Sequence, residues 1–210
     1  MAATEPGRLI VLAAPSGAGK TTLARALLAR APGLQFSVSY TTRSRRETEV
    51  DGEDYFFVSA AEFDAMRARG AFLEFAEVFD HWYGTSGEYV QSLLDQGNSV
   101  LLEIDWQGAA QVRLRRPDAI SVFIMPPSRE ELERRLRGRR TDSGGVIQRR
   151  LRDALSDMAH WSEFHYVVVN DDLDKAAAEL AAIVSAGGAE NLTVSARTQA
   201  RVEAILAAGQ

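Results

Sequence analysis

The sequence predicts an α/β fold, a mostly parallel β-sheet with helices on both faces, carrying a small strand-rich insert and a helical lid. Three observations predict it. The run Leu9-Ile10-Val11-Leu12-Ala13 is short, apolar and partly β-branched, as a strand buried on both faces must be. A glycine-containing turn follows, and then Thr21–Arg30 places Leu23, Leu27 and Leu28 on one helical face. Beyond it, strand-like and helix-like stretches alternate, the pattern of parallel strands joined by helical crossovers.

In chain order, the further expected strands are Gln35–Ser39, Tyr55–Val58, Leu73–Val78, Val100–Ile104, Ser121–Ile124 and Tyr166–Val169. The expected helices are Ala60–Arg69, Gly87–Gln96, Gly108–Arg115, Ser128–Arg137, Val146–His160 and Leu173–Ser185. Ser59 and Ser128 stand where N-caps are needed. Residues 37–83 are strand-rich and read as a small antiparallel insert. After Gly187-Gly188 the chain turns polar and ends in a helix expected from about Ser195 to Ala207.

Composition excludes several classes of function. With 210 residues, 46% of them apolar and 25% charged, the chain has material for one packed domain. A formal net charge of −5 argues against a general nucleic-acid binder. The absence of cysteine excludes disulfides, thiolate metal sites and a thiol nucleophile. Met1–Arg8 is polar, and no uncharged stretch approaches the ~18 residues of a membrane helix. The expectation is a soluble cytoplasmic protein with no membrane or nucleic-acid partner, its oligomeric state open. Of the 24 basic residues only Lys20 and Lys175 are lysine, so arginine dominates. Genome composition is the main reading of such a bias, although arginine's planar fork also suits phosphate and carboxylate. His81, His160 and His165 lack metal-ligand spacing and read as structural, as do Trp106 and Trp161.

Ala14-Pro15-Ser16-Gly17-Ala18-Gly19-Lys20-Thr21 fits G-x-x-x-x-G-K-[ST] except for alanine at its first position. An expected strand precedes it and an expected helix follows. Backbone N–H groups of such a loop surround a β-phosphate, and the helix dipole points at the same anion. Lys20 would bridge the β- and γ-phosphates, and the Thr21 hydroxyl would hold Mg²⁺. The loop implies a P-loop NTPase-type sheet and a nucleoside triphosphate site, and leaves the phosphoryl acceptor open.

Arg43 and Arg46 stand three apart in the insert, with Tyr55 beyond a polar turn. Two guanidinium groups and a phenol could converge on a phosphate. The acidic residues Glu47, Glu49, Asp51, Glu53 and Asp54 also allow a solvated, self-paired turn. Glu74, flanked by Leu73 and Phe75, fits a strand carboxylate facing water. Glu103 and Asp105 share one face at a strand end, either bordering a ligand crevice or simply as strand-end carboxylates. Arg129–Arg152 holds many arginines around the polar break Thr141-Asp142-Ser143-Gly144-Gly145. Some pair with glutamates on the helix surface, and two basic arms joined by a break also suit a lid over phosphates.

Taken jointly, these motifs resemble the guanylate kinases, P-loop nucleoside monophosphate kinases. The resemblance is carried by the APSGAGKT loop, Ser37-Val38-Ser39, Thr41-Thr42-Arg43 through Arg46 to Tyr55-Phe56-Phe57, and Phe72-Leu73-Glu74. It continues in Tyr83-Gly84-Thr85, Glu103-Ile104-Asp105-Trp106-Gln107-Gly108, Arg135-Leu136-Arg137-Gly138-Arg139 and Val169-Asn170-Asp171-Asp172. It spans about residues 8–186 and implies transfer of the γ-phosphoryl group of ATP to GMP with Mg²⁺, in purine nucleotide metabolism and GMP recycling. dGMP is left open as a second acceptor. By the same resemblance, Ser39, Glu74 and Thr85 read guanine, while Arg43, Arg46, Tyr55 and Tyr83 hold the GMP phosphate. Glu103 lies near the GMP phosphate or sugar, and Asp105 orients Mg²⁺-bound water. Arg135, Arg139 and Arg150 contact ATP or the transferring group, and Asn170 contacts adenine. The implied organisation is a single domain: a core at 8–36, 99–126 and 160–186, a GMP-binding insert at about 37–98, and a lid at about 127–159. A helical tail at 187–210 follows. The family commonly has Pro at Arg45, Gly at Thr48 and Arg140, and acidic residues at Gly144-Gly145, which puts the conformation of those loops in question.

Overall fold

A computed structural model describes residues 7–138 and 144–208. Its strands are β1 (Leu9–Ala13), β2 (Leu34–Phe36), β3 (Tyr40–Thr41), β4 (Phe56–Phe57), β5 (Phe72–Val78), β6 (His81–Ser86), β7 (Ser99–Ile104), β8 (Ile120–Met125) and β9 (Tyr166–Val169). Its helices are α1 (Lys20–Arg30), α2 (Ala60–Ala68), α3 (Gly87–Asp95), α4 (Trp106–Arg115), α5 (Arg129–Arg137), α6 (Gly144–Met158), α7 (Leu173–Val184) and α8 (Ala196–Ala207). The larger sheet has the order β2-β7-β1-β8-β9 and the smaller β4-β3-β6-β5. The α/β class with a parallel sheet and flanking helices is as expected.

The chain divides into two compact units, one made of the chain up to Val11 with Gly33–Ala119, the other of Leu12–Pro32 with Ile120 onward. In the first, β2 pairs in parallel with β7, Leu34 opposite Ser99. The chain then leaves that sheet: Ser37 N–H still donates to Leu101 O at 3.0 Å, but Tyr40 begins the smaller sheet. The strand expected at Gln35–Ser39 therefore ends at Phe36, because residues 37–39 carry the chain from one sheet to the other. The insert is also mixed rather than antiparallel throughout. β3 runs parallel to β4, while β6 is antiparallel to both β3 and β5.

Strand β6 has no counterpart among the expected strands. Its turn explains why. Phe79 and Asp80 link β5 to β6 with φ of 51° and 64°, the two positive values of a tight hairpin. Asp accepts that region and Phe rarely does, so Phe-Asp lacks the usual turn signature. The hairpin packs Phe63 against Phe72, ring centroids 4.5 Å apart, and Gly84 is needed there because a Cβ would press on both rings. Helix α4 begins at Trp106 rather than Gly108, since the Asp105 carboxylate accepts the Gly108 N–H at 2.8 Å and caps it.

In the second unit, β8 and β9 pair in parallel from Val122–Tyr166 to Met125–Val169. Both are buried in their apolar centres, with Val122 and Ile124 at 0% exposure. Helix α1 covers this core with Leu23, Ala24 and Leu27, and Ser128 caps α5 as expected. Gly144 and Gly145, expected in the polar break, belong instead to α6, and Thr141-Asp142-Ser143 lies outside the described residues. The expected Val146–His160 helix ends at Met158, and Ala159–Glu163 tighten into a 3-10 turn. No helix among the described residues is long and apolar enough to cross a membrane.

Candidate active site

The glycine-rich loop sits in the second unit between β1 and α1. Gly17 and Gly19 have φ of +90° and +92°, values that L side chains rarely adopt. A Cβ on Gly19 would overlap the Asn170 amide nitrogen, and one on Gly17 would press on Leu136. Ala14 is not among the positive-φ residues, so alanine at the motif's first position introduces no strain. Pro15 and Ala18 are buried, Ser16 half-buried, and Ala18 N–H donates to Pro15 O at 3.2 Å. Helix α1 starts at half-buried Lys20, Thr21 follows in its first turn, and no side chain caps its N-terminus. By contrast α2, α3, α4, α5, α7 and α8 each have a side-chain cap, from Ser59, Ser86, Asp105, Ser128, Asp172 and Ser195. The first N–H groups of α1 thus point toward whatever the loop encloses.

Two side chains brace the loop. Asn170 Nδ2 donates to Ala18 O at 2.7 Å, and Arg135 donates to Ala18 O at 3.2 Å and to Asn170 O at 3.1 Å. Glu131 orients Arg135 by accepting its Nε–H at 2.7 Å. The hydrogen bonds from Arg134 and then Arg135 lower the Glu131 pKa from 4.5 to about 2. A carboxyl whose pKa is lowered on folding contributes stability above its ordinary pKa and loses it as pH falls toward the folded value. The Arg135 Nε–H resonance should accordingly stay unchanged from pH 7 to pH 4. A titration of that resonance centred near pH 4.5 would contradict the pairing.

The first unit holds a second constellation. Arg43 is drawn in by a two-pronged ion pair, Nη2 to Glu49 Oε1 at 2.7 Å and Nη1 to Oε2 at 3.0 Å. Its guanidinium lies 5.4 Å from the centre of the Tyr55 ring, which stands 5.8 Å from the Tyr83 ring. Burial alone would lower the Arg43 pKa, but hydrogen bonds to Glu49 and Tyr83 raise it. Burial pushes the Tyr55 phenol up to about 12, reinforced by the charge of Glu103. Tyr55 therefore stays a hydrogen-bond donor at any physiological pH. Arg43, Tyr55, Tyr83 and Glu103 are brought together. Arg46 remains on the rim, its side chain 62% exposed and 3.7 Å from Glu49.

Glu74 contradicts the alternation that suggested a water-facing carboxylate. Phe72, Glu74 and Ala76 form the buried face of β5, and Glu74 is only 3% exposed. It lies directly across from Thr85 on β6, whose hydroxyl donates to Glu74 Oε1 at 2.5 Å. Burying a carboxylate is costly unless hydrogen bonds satisfy it, and Thr85 supplies one here. Ser39 is also buried, and its carbonyl accepts Phe56 N–H at 2.9 Å. Gly108 on α4 leaves the space that the carboxylate occupies, since a Cβ there would overlap Glu74 Oε2. Gly108→Ala should displace Glu74 and weaken whatever it recognises by roughly tenfold or more, since one misplaced buried hydrogen bond has that effect. Unchanged ligand affinity in that variant would show that Glu74 has room to spare.

Residues outside the sequence expectation complete the frame. Glu49, read only as part of an acidic run, holds Arg43 and also accepts the Arg46 N–H at 2.8 Å. Its pKa is lowered, chiefly by the Arg43 hydrogen bond. Gln111 donates to Phe75 O at 2.6 Å and accepts Phe75 N–H at 3.2 Å, while Arg115 donates to Phe72 O at 2.9 Å. Asp105, Gly108, Gln111 and Arg115 lie three or four apart, and that spacing on one helix was the signal for them. Asp105 is committed as the α4 cap and also accepts from Gln107 Nε2 at 3.1 Å. Arg45 donates to Glu49 O at 3.2 Å, and Thr48 sits in the turn closed by Glu49 N–H to Arg46 O without a positive φ. Arg150 is half-buried on α6. Arg139 and Arg140 lie outside the described residues.

The known proteins that this chain resembles include guanylate kinases. The family model described as guanylate kinase matches residues 6–187. The guanylate kinase of Alkalilimnicola ehrlichii is 55% identical over 181 residues, 86% of this chain and 89% of that one. That of Chromohalobacter salexigens is 50% identical over 202 residues, 96% of this chain and 92% of that one. The crystal structure of guanylate kinase from Anaplasma phagocytophilum has a TM-score of 0.73 and 37% identity, covering 86% of each chain. With a phosphate loop, a buried carboxylate and these relatives over most of its length, the chain belongs to the guanylate kinase family of enzymes.

Proposed function

We propose that this nucleotide kinase transfers the γ-phosphoryl group of ATP to GMP, giving ADP and GDP by in-line displacement. The observation that carries the choice of acceptor is the buried Glu74 carboxylate opposite Thr85. A carboxylate can accept the guanine N1–H and 2-amino group together; the Ser39 hydroxyl can donate to O6, and Thr85 can do so once its hydroxyl turns from Glu74 to the base. Adenine lacks the 2-amino group and offers an acceptor at N1, so its binding would leave buried groups unpaired, a discrimination worth up to ~10⁴.

Arg43, Arg46, Tyr55 and Tyr83 would take the GMP phosphate, with Glu49 aiming Arg43 and the high Tyr55 pKa keeping its proton on the phenol. Glu103, half-buried on β7, would border the phosphate or sugar. In the second unit the loop 14–21 would enclose the ATP phosphates and Lys20 would neutralise the transferring group. Arg135 keeps unused N–H donors beside the loop, and Arg139 and Arg150 are proposed as its partners in charge stabilisation. Asn170 would reach adenine through its remaining amide oxygen while bracing Ala18. Residues 37–98 would act as the GMP-binding insert and 127–159 as a lid whose closure excludes water and so suppresses ATP hydrolysis.

The oxygen donors fit Mg²⁺, a hard cation that keeps several waters. Thr21 would supply one ligand, and Asp105, with a lone pair left on each oxygen beyond its capping bonds, would orient a metal-bound water. When bound with ATP, the ion would neutralise charge on the β- and γ-phosphate oxygens. The acceptor is a phosphate oxygen already largely anionic near neutral pH, so the protein needs no strong base. Its contribution is positioning and charge stabilisation. Such chemistry belongs to purine nucleotide metabolism and GMP recycling in the cytoplasm, where both substrates are made and used.

Calorimetric titration with GMP, AMP, CMP and UMP tests the acceptor assignment without relying on turnover. GMP should bind at least ~10²-fold more tightly than the others. Equal affinity for all four would mean that Glu74 does not read the base.

A further inference from the structure

The residues after 187 lie beyond the family model's match, yet they pack on β9 and α7 of the second unit. Leu192 bridges Tyr166 in antiparallel fashion, and Thr193 N–H donates to His165 O at 3.0 Å. Asn191 Nδ2 donates to Val167 O at 3.2 Å and to Glu179 Oε2 at 2.9 Å. Helix α8 then buries Val202 and Ile205, which fixes its rotation. That rotation delivers Arg201 to Asp171, Nη2 to Oδ2 at 2.6 Å.

Asp171 is the residue after Asn170. Its other oxygen accepts the Asp172 N–H at 2.9 Å, so the carboxylate pins the turn that leaves β9. Lys175 adds a weaker contact at 3.7 Å. Asn170 in turn holds the Ala18 carbonyl of the phosphate loop and offers its own carbonyl to Arg135. A path therefore runs from α8 to Ala18: the Arg201–Asp171 hydrogen bond, the peptide bond joining Asp171 to Asn170, and the Asn170–Ala18 hydrogen bond.

We propose that Arg201 is a positioning residue for the triphosphate site: α8 braces the 170–172 turn, and the turn holds the phosphate loop in its binding shape. The inference rests on reading that loop as the ATP site. Both partners of the Arg201–Asp171 pair are about a third exposed, at 35% and 37%. Pairs this exposed add little to global stability, so the pair's effect falls on the shape of the turn.

The test is steady-state kinetics of Arg201→Ala, Arg201→Lys and Asp171→Asn, together with direct binding of a fluorescent ATP analogue. Arg197→Ala is the control, since Arg197 lies on the same helix as Arg201 but pairs with Glu190, ahead of that helix, and not with Asp171. Arg201→Ala and Asp171→Asn should raise KM for ATP and the analogue's Kd roughly threefold to tenfold. KM for GMP should stay within twofold, Tm should barely move, Arg201→Lys should recover part of the loss, and Arg197→Ala should match wild type. ATP parameters within twofold of wild type in Arg201→Ala overturn the proposal, as does an equal rise in both KM values that tracks a fall in Tm. Wild type that fails to bind the ATP analogue would instead overturn the reading of the loop, and the proposal with it.

Discussion

Lys20→Ala is expected to lower kcat for ADP formation by at least ~10², with Tm close to wild type. Lys20 opens α1 immediately after the left-handed Gly19 and is not part of the apolar core, so truncating it leaves Leu23, Ala24 and Leu27 packed. On the proposed reading, the variant would lose a cation at the place where charge develops as the γ-phosphoryl group moves. Interactions made more strongly in the transition state than in the ground state affect kcat more than KM. On the same reading, the backbone N–H groups and the helix end without a side-chain cap would still attract the triphosphate, so ATP should bind nearly as before. Stopped-time assays with saturating ATP and GMP measure the change. Undiminished transfer by a folded variant would place the chemistry elsewhere.

Glu74→Gln is expected to reduce kcat/KM for GMP by about 10³ while KM for ATP stays within twofold. The substitution keeps shape and lets Thr85 keep a partner, so the fold should survive. It turns one acceptor oxygen into an N–H donor that faces the donors of guanine. Two charge-assisted hydrogen bonds of roughly 1.5–3 kcal/mol each are at stake, and losing much of both gives a factor of that order. AMP should gain little, because its 6-amino group would still meet Thr85 and Ser39 in the wrong arrangement. GMP turnover within tenfold of wild type would remove Glu74 from base recognition.

The phosphate loop was legible because every part of its signal lies within eight adjacent residues, bracketed by a strand and a helix. The α/β class followed from the same local periodicities. The caps at Ser59 and Ser128 were legible for the same reason. The second constellation was less so: spacing and chemistry suggested that Arg43 and Tyr55 could converge, but only the family resemblance added Tyr83 and Glu103, which come from separate segments. Glu74 shows the limit most clearly. Leu73 and Phe75 pointed by alternation to a buried face opposite Glu74, yet α4 packs along β5 and Gln111 and Arg115 tie its backbone, which buries the other face. The face that a strand buries is a tertiary choice. Glu49 was hidden differently: five acidic residues between 47 and 54 look alike in sequence, and only the fold of the turn selects one of them to hold Arg43. β6 escaped notice because its turn is built on Phe79-Asp80 rather than on asparagine or glycine.

If the loop at 14–21 takes ATP and Glu74 reads guanine, as we propose, the protein phosphorylates GMP in preference to the other nucleoside monophosphates. A coupled ADP-release assay with ATP·Mg²⁺, offering GMP, AMP, CMP and UMP in turn at equal concentration, tests it most directly. The account predicts ADP release with GMP at least ~10²-fold faster than with any of the other three. Release that is equal for all four, or absent with GMP in a protein that still binds it, would contradict the account.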